Sequence, residues 1–518
     1  MPGKSVSGNP LIGKSAAIVM LSAFLPLALF ITLDASALLY RTPVGSLKDN
    51  CVFWHEEAFY LFAMYRKEER PRDQDQWRHM WLATSGDGVH WQDVGPVIED
   101  APFGIYAMRV WKVGNRFVMN HGSFTGEQQD VLRLWASTDL IKWEYLGPDY
   151  DVRRPDGQRI DHMDVISVEE EGKTIYYGYA VGGVLRSEDG MKWTWLSELP
   201  LTGGVDIRVC QEPGGCQRIG DKFYLLVGGF YPGYFEYATS TYVSEHPTGP
   251  FRPDYPAFRL NGYSGRELVA LWAAYCRKPG ELLLSNYILD QTRPFWWHAP
   301  LKAAVVDGEG HIRMGYWKGN DALKGVELPC TAESMRLASA DSNGTMSVAG
   351  GQITLTAPPL PQVRWITPGK PNIAATFLDT SFDFEKGCVV EGSLKVTALD
   401  GIVFPAAGFC LEQADGQATA VLFGTWAETQ IGTLHLSDTP CFEAKDSIGF
   451  GCAAAAGVKP GEISRFRILI RKGIFEIYLN DFLVQTYASL GLTGRLGFIV
   501  QDGQVVYDFP KVWMMSLP

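Results

Sequence analysis

The chain has 518 residues, 46% of them hydrophobic and 20% charged, with a net charge of −12. That length exceeds one ordinary compact domain. The acidic balance, with no basic stripe, excludes the clustered Lys and Arg that polyanion or nucleic-acid binding needs. A packed core and an uncharged ligand such as a carbohydrate fit it better.

At the N-terminus Lys4 and Lys14 accompany an apolar run from about Ala16 to Leu33, and Ala35-Ser36-Ala37 resembles a small-residue cleavage site. Residues 1–37 therefore read as a secretory signal, which predicts a secreted or extracytoplasmic protein. Pro26 and Asp34 interrupt the run, so a membrane anchor is a second reading and a packed N-terminal helix a third. The nine cysteines show no metal-type spacing, and Cys210 and Cys216 could pair although the count is odd. No phosphate loop, nucleotide fingerprint or zinc signature is present, so neither cofactor nor metal is expected.

A repeat then runs through residues 38–327. Ser-x-Asp-x-x-x-Trp occurs as Ser85, Asp87, Trp91, as Ser137, Asp139, Trp143, and as Ser187, Asp189, Trp193. A variant from Ser244 to Phe251 stands where a fourth copy is due, with Ser-to-Ser steps of 52, 50 and 57 residues. The Ser and Asp can close a tight turn onto backbone N–H groups, and the Trp can pack between neighbouring sheets. An apolar strand, a turn and an aromatic strand precede each copy, as in Val52-Phe53-Trp54 followed by Phe59 to Tyr65. A fifth unit fits from Leu268 to Trp317. Five units of about four short strands predict an all-β, five-bladed propeller.

Residues 328–362 read as a linker, with Asn343-Gly344 and Pro358-Pro359 in it. Residues 363–518 carry longer alternating runs, Arg465 to Arg471, Ile474 to Asn480 and Arg495 to Val500, with Gly473 at a turn. They predict an antiparallel, concanavalin-like β-sandwich.

The start of each innermost strand faces the central funnel of a propeller. Counting eight residues back from the turn gives Asp49 before Glu57, Asp164 before Gly172 and Glu212 before Gly220. The same count from Gly114 gives Tyr106. Blade five is too irregular for the count. Converging carboxylates raise one another's pKa and mark chemistry more than stability. Glycoside hydrolysis needs such a pair. Asp161 and Asp206 are nearby competitors that read as loop residues. Arg109, Arg208 and His162 could bind sugar hydroxyls, or be satisfied structural groups. Trp77, Phe230 and Tyr231 could stack on sugar faces.

These residues resemble glycoside hydrolase family 32 and its clan relatives, families 43 and 68. Leu47-Lys48-Asp49-Asn50 stands where family 32 has its Asn-Asp-Pro-Asn nucleophile motif. His79 to Trp91 is similar to its histidine-rich segment, His162-Met163-Asp164-Val165 to its Arg-Asp-Pro motif, and Gln211-Glu212-Pro213 to its Glu-Cys motif. Leu328-Pro329 resembles its Leu-Pro-Arg linker start, and Phe475 to Asp481 a strand of its sandwich. The resemblance implies a retaining, metal-independent β-fructofuranosidase acting on oligo- or polysaccharides. It implies Asp49 as nucleophile, Glu212 as general acid/base and Asp164 as transition-state stabiliser. Tyr106, Arg109, His79, His162, Arg208 and Trp77 are the expected substrate-binding residues. Lys48, Met163 and Pro213 depart from the motifs. An inverting family 43-like arabinosidase or xylosidase, and a non-catalytic carbohydrate-binding protein, therefore remain alternatives. Oligomeric state stays open.

Overall fold

The computed structural model describes residues 36–517 apart from 68–76, 124–127, 203–211, 231–236, 256–258, 265–267, 291–294, 332–334, 341–343, 361–370, 400–403, 414–415, 438–439, 449–456, 489–490 and 492. Residues 1–35 of the expected signal, and Arg208, Asp206, Cys210 and Tyr231, lie outside the described residues, while Ser36 and Ala37 pair with Trp91 and His90. Cys216 is a buried free thiol.

Each Ser-x-Asp element closes the turn leading out of a blade's third strand. Ser137 Oγ accepts from the backbone N–H of Leu140, and Asp139 Oδ1 from those of Ile141 and Lys142. Ser85 with Asp87, and Ser187 with Asp189, make the same bonds. The Trp that follows becomes a wedge against the preceding blade. Trp143 meets Phe62 edge-on at 5.7 Å, Trp193 meets Trp111 at 6.0 Å, and Trp91 meets His298 of blade five at 5.2 Å. In the variant copy Phe251 replaces the Trp and meets Tyr179 at 6.1 Å. Such edge-to-face pairs add about 0.5–1.5 kcal/mol beyond the area they bury.

Innermost strands Ser46–His55, Tyr106–Val113, Met163–Glu170, Glu212–Ile219 and Leu268–Lys278 neighbour one another in that order and close back on the first. Five blades thus surround one channel. The seam between blades one and five is stapled by Tyr40, whose backbone exchanges hydrogen bonds of 3.1 and 2.8 Å with His298.

The sandwich packs two antiparallel sheets. One runs Met335–Ala340, Ile373–Asp383, Thr493–Gln501, Ala406–Glu412, Gln417–Gly424, Thr429–His435, Cys441–Ile448. The other includes Cys388–Thr397, Ile463–Arg471, Ile474–Leu479, Phe482–Ala488 and Gly503–Asp508. Lys472 and Gly473, both at positive φ (53° and 71°), form the two-residue hairpin turn expected at Gly473. The expected linker differs: Thr345–Ala349 and Gln352–Ala357 form a hairpin that adds to Gly503–Asp508. The alternation of buried Ile353, Leu355 and Ala357 explains it, because that face has a sandwich core to cover.

Propeller and sandwich share one apolar core. Tyr316 of blade five packs edge-on against Tyr478 at 5.3 Å, and the Arg467 guanidinium covers the Tyr316 ring at 3.6 Å. Lys302 of blade five and Glu476 of the sandwich form a buried ion pair of 2.5 Å. Lys302 also donates to Asn286 and to the Pro300 carbonyl, and Tyr478 donates to the second Glu476 oxygen.

Candidate active site

The inner strands of blades one and four are interrupted near the funnel. The ladder shifts between Lys48 and Asn50, leaving Asp49 as an extra residue with φ 48°, and again between Pro213 and Gly215 just past Glu212. Such bulges re-aim side chains. Blade two breaks register between Tyr106 and Arg109, with Ala107 at φ 38°, and blade five between Leu271 and Ala274, with Trp272 at φ 45°. Non-glycine residues held in that region cost about 1–3 kcal/mol each and concentrate at functional sites.

Asp49 and Glu212 meet in this funnel, each held by a tyrosine. Tyr287 donates to Asp49 Oδ1 at 2.8 Å, and Tyr237 donates to Glu212 Oε2 at 2.9 Å. The ammonium of Lys48 lies 3.7 Å from Asp49 Oδ2 and over the Trp296 ring. Burial, then the negative charge of Asp49, raises the Glu212 carboxyl above the usual range, against the Tyr237 hydrogen bond and the charges of Arg159 and Lys48. A carboxyl held toward its protonated form beside a second carboxylate is the electrostatic arrangement of an acid/nucleophile pair.

Asp164 is not equivalent to these two. Blade three runs in unbroken register from Met163 to Glu170. Without a bulge, the eight-residue count reaches a different side-chain position. The Asp164 carboxylate is buried against Arg277, at 2.6 and 3.2 Å, and accepts from the Cys216 N–H at 3.3 Å. Asp161 is the acid beside Glu212 instead. It is buried and accepts from Nε and Nη2 on one edge of the Arg159 fork, and the same guanidinium reaches Glu212 Oε1 at 3.8 Å.

The other expected contacts divide. His162 and Arg109 lie beneath the pair. The His162 ring is 4.5 Å from that of Trp272, and its Nε2 bonds the Pro213 carbonyl at 2.8 Å, which assigns the proton to Nε2. Burial, then the Arg109 charge, pushes that imidazole well below its ordinary pKa, so it is neutral. The Arg109 guanidinium stacks on Trp272 at 4.0 Å. Tyr106 and Trp77 are buried in the core between blades one and two. His79 sits on a third strand and accepts from the Asp100 N–H. Arg159, Tyr237, Tyr287 and Trp296 were missed by the sequence reading. Only Arg159, two residues before an aspartate, carried a signal.

No described sequence family and no curated protein sequence matches the chain. Solved structures do. A sucrose-6-phosphate hydrolase of Lactobacillus gasseri superposes with TM-score 0.63 at 12% identity, covering 93% of each chain. A family 32 β-fructofuranosidase of Bombyx mori superposes with TM-score 0.59 at 14% identity, over 93% of this chain and 94% of its own. Fructan 1-exohydrolase IIa of Cichorium intybus, in complex with 1-kestose, superposes with TM-score 0.57 at 12% identity, over 94% and 98%. The fold is that of the family 32 fructofuranosidases, a five-bladed propeller followed by a β-sandwich.

Proposed function

We propose that the protein is a retaining glycoside hydrolase acting on terminal β-fructofuranosides. The observation that carries this reading is the funnel pair, a Glu212 carboxyl raised by burial and by the charge of Asp49. In the first step Glu212 gives its proton to the leaving glycosidic oxygen while Asp49 attacks the anomeric carbon. In the second, the Glu212 carboxylate takes a proton from water, which displaces Asp49 from the same carbon, so configuration is retained. Tyr287 fixes the attacking carboxylate, leaving Oδ2 for the reaction. Asp161, oriented by Arg159 beside Glu212, is placed to grip sugar hydroxyls as charge develops on the ring. We give that role to Asp161 because its partner Arg159 also reaches Glu212, whereas Asp164 pairs with Arg277 in a strand without a bulge. The fold match to proteins solved with sucrose or 1-kestose supports a small saccharide substrate.

Hydrolysis of sucrose, 1-kestose, inulin, levan, arabinan and xylosides tests the reading, with the first-formed anomer followed by NMR. Release of fructose as the β-anomer is expected, with D49N and E212Q each lowering kcat/KM by about 10²–10⁴-fold. An inverted product would make Asp49 a general base activating water. No release from any of these glycans would remove the enzyme reading in favour of a carbohydrate-binding protein.

A further inference from the structure

Glu212 is fixed by more than its tyrosine. The next residue is Pro213, whose ring locks its own φ and biases Glu212 toward extended backbone. The soft torsion left between the acid and the rest of its strand is ψ of Pro213, which sets the direction of the Pro213 carbonyl. That carbonyl lies at the blade-four bulge, where the ladder passes from Pro213 to Gly215 and leaves Gly214 as the extra residue. It accepts from Nε2 of His162, 2.8 Å away and 51 residues earlier in the chain, just before the inner strand of blade three. The backbone of Ala273 in blade five packs directly on Gly214, too close for any side chain there. The acid-bearing segment is thus braced by two other blades. His162 is itself held. Its ring is buried and meets Trp272 edge-on at 4.5 Å, and Trp272 carries the Arg109 guanidinium at 4.0 Å. Nδ1 has no hydrogen-bond partner among the described residues, so moving the proton there would break the Pro213 bond and leave a buried donor unpaired. Burial first, then the charges of Arg109 and Arg159, keep a second proton off the ring, against the pull of the Pro213 bond. The donor is therefore neutral. A cationic donor in the same place would favour the charged form of Glu212 and weaken it as an acid.

We infer that His162 is a positioning residue for the general acid: it pins the Pro213 carbonyl and, through that torsion, aims the Glu212 carboxyl at the leaving glycosidic oxygen. The inference rests on the role of Glu212 proposed above. His162 works through the backbone and not on the sugar, and its neutrality lets it orient the acid without drawing the proton off it.

Two variants of the intact protein separate this role from simple packing. His162→Gln keeps a neutral donor at about the reach of Nε2, whereas His162→Asn is equally polar and neutral but too short to reach Pro213. Each is assayed on the glycoside that wild type cleaves best and on its nitrophenyl counterpart, whose leaving group needs little protonation. H162N should lower kcat on the first about 10–10²-fold with KM within about twofold, and lose less than about threefold on the second. H162Q should hold kcat within about fivefold of wild type on the first. His162→Met, which fills the site without a donor, should behave as H162N and replaces it where H162N does not fold. Equal losses in H162Q and H162N, equal losses on the two substrates, or a raised KM in place of a lowered kcat overturns the inference, because lost packing or lost sugar binding produces those results. Crystal structures of the variants decide the same point without activity. In H162N the Pro213 carbonyl is expected to turn and Glu212 to leave the Tyr237 hydroxyl, while H162Q keeps both. Glu212 still held by Tyr237 in H162N overturns the inference. Wild type that cleaves no glycoside removes the proposed function instead, and the crystal structures alone then decide whether His162 sets the aim of Glu212.

Discussion

At the residue scale the site depends on how two carboxyls are kept different. Tyr237 donates to Glu212 and so favours its charged form. Removing that donor in Tyr237→Phe should raise the Glu212 pKa further. A general acid works only while protonated, so the alkaline limb of the kcat/KM profile should move to higher pH, and an unmoved limb would contradict Glu212 as the acid. Asp161 and Asp164 separate in the same manner. Asp161→Asn should lower kcat/KM by at least about 10²-fold, and because it also leaves Arg159 unpaired it should cost about 1–2 kcal/mol of unfolding free energy as well. Asp164→Asn leaves Arg277 unpaired. Because that side chain is 35% exposed, water recovers part of its charge, and the expected loss is about 1–2 kcal/mol of unfolding free energy, read in urea. Asp49 and Glu212 were legible because each lies in an innermost strand eight residues before a turn. Tyr237 and Tyr287 were not, since nothing near them in sequence announces a partner 25 or 238 residues away.

At the element scale the repeat was legible because it is written in turn chemistry. Ser, Asp and an aromatic recur where backbone N–H groups need acceptors and adjacent blades need a wedge. The bulges were not legible. No residue type marks the extra position at Asp49, and a count that ignores bulges treats Asp164 as its equivalent. The turns have a pH consequence. Hydrogen bonds from the backbone N–H groups of Lys142 and Ile141 hold Asp139 below its ordinary pKa. Against burial, which acts the other way, bonds from His90, Val89 and Ser85 hold Asp87 down to about 2. Folded values below the unfolded one mean that this stabilisation is present above about pH 4 and is lost as pH falls toward 2. Acid unfolding of D87N/D139N should therefore be shallower than that of wild type between those values, with a lower Tm at neutral pH. Trp143→Ala, which removes a wedge, should cost about 3–5 kcal/mol at any pH.

At the scale of the molecule, propeller and sandwich are welded by a buried charge pair as well as by apolar contact. Glu476→Ala would strand the Lys302 ammonium in a site with no exposure and should cost about 3–5 kcal/mol. Replacing both partners, Lys302→Met with Glu476→Leu, should recover most of that in urea unfolding. A double variant as unstable as the single one would show that packing, not charge, sets the cost. The weld was half legible. The Phe475 to Asp481 run was recognisable as a sandwich strand, but only the folded chain sets its Glu against Lys302. The seam between blades one and five has a consequence in time. Asp49 waits for the hydroxyl of Tyr287, and its neighbour Asn50 bonds His298 at 3.0 Å. Asp49 is made early in synthesis, yet its cradle emerges from the ribosome some 240–250 residues later. A nascent chain that stops before blade five therefore carries both acids without the tyrosine that holds Asp49, and the funnel is completed only with ring closure.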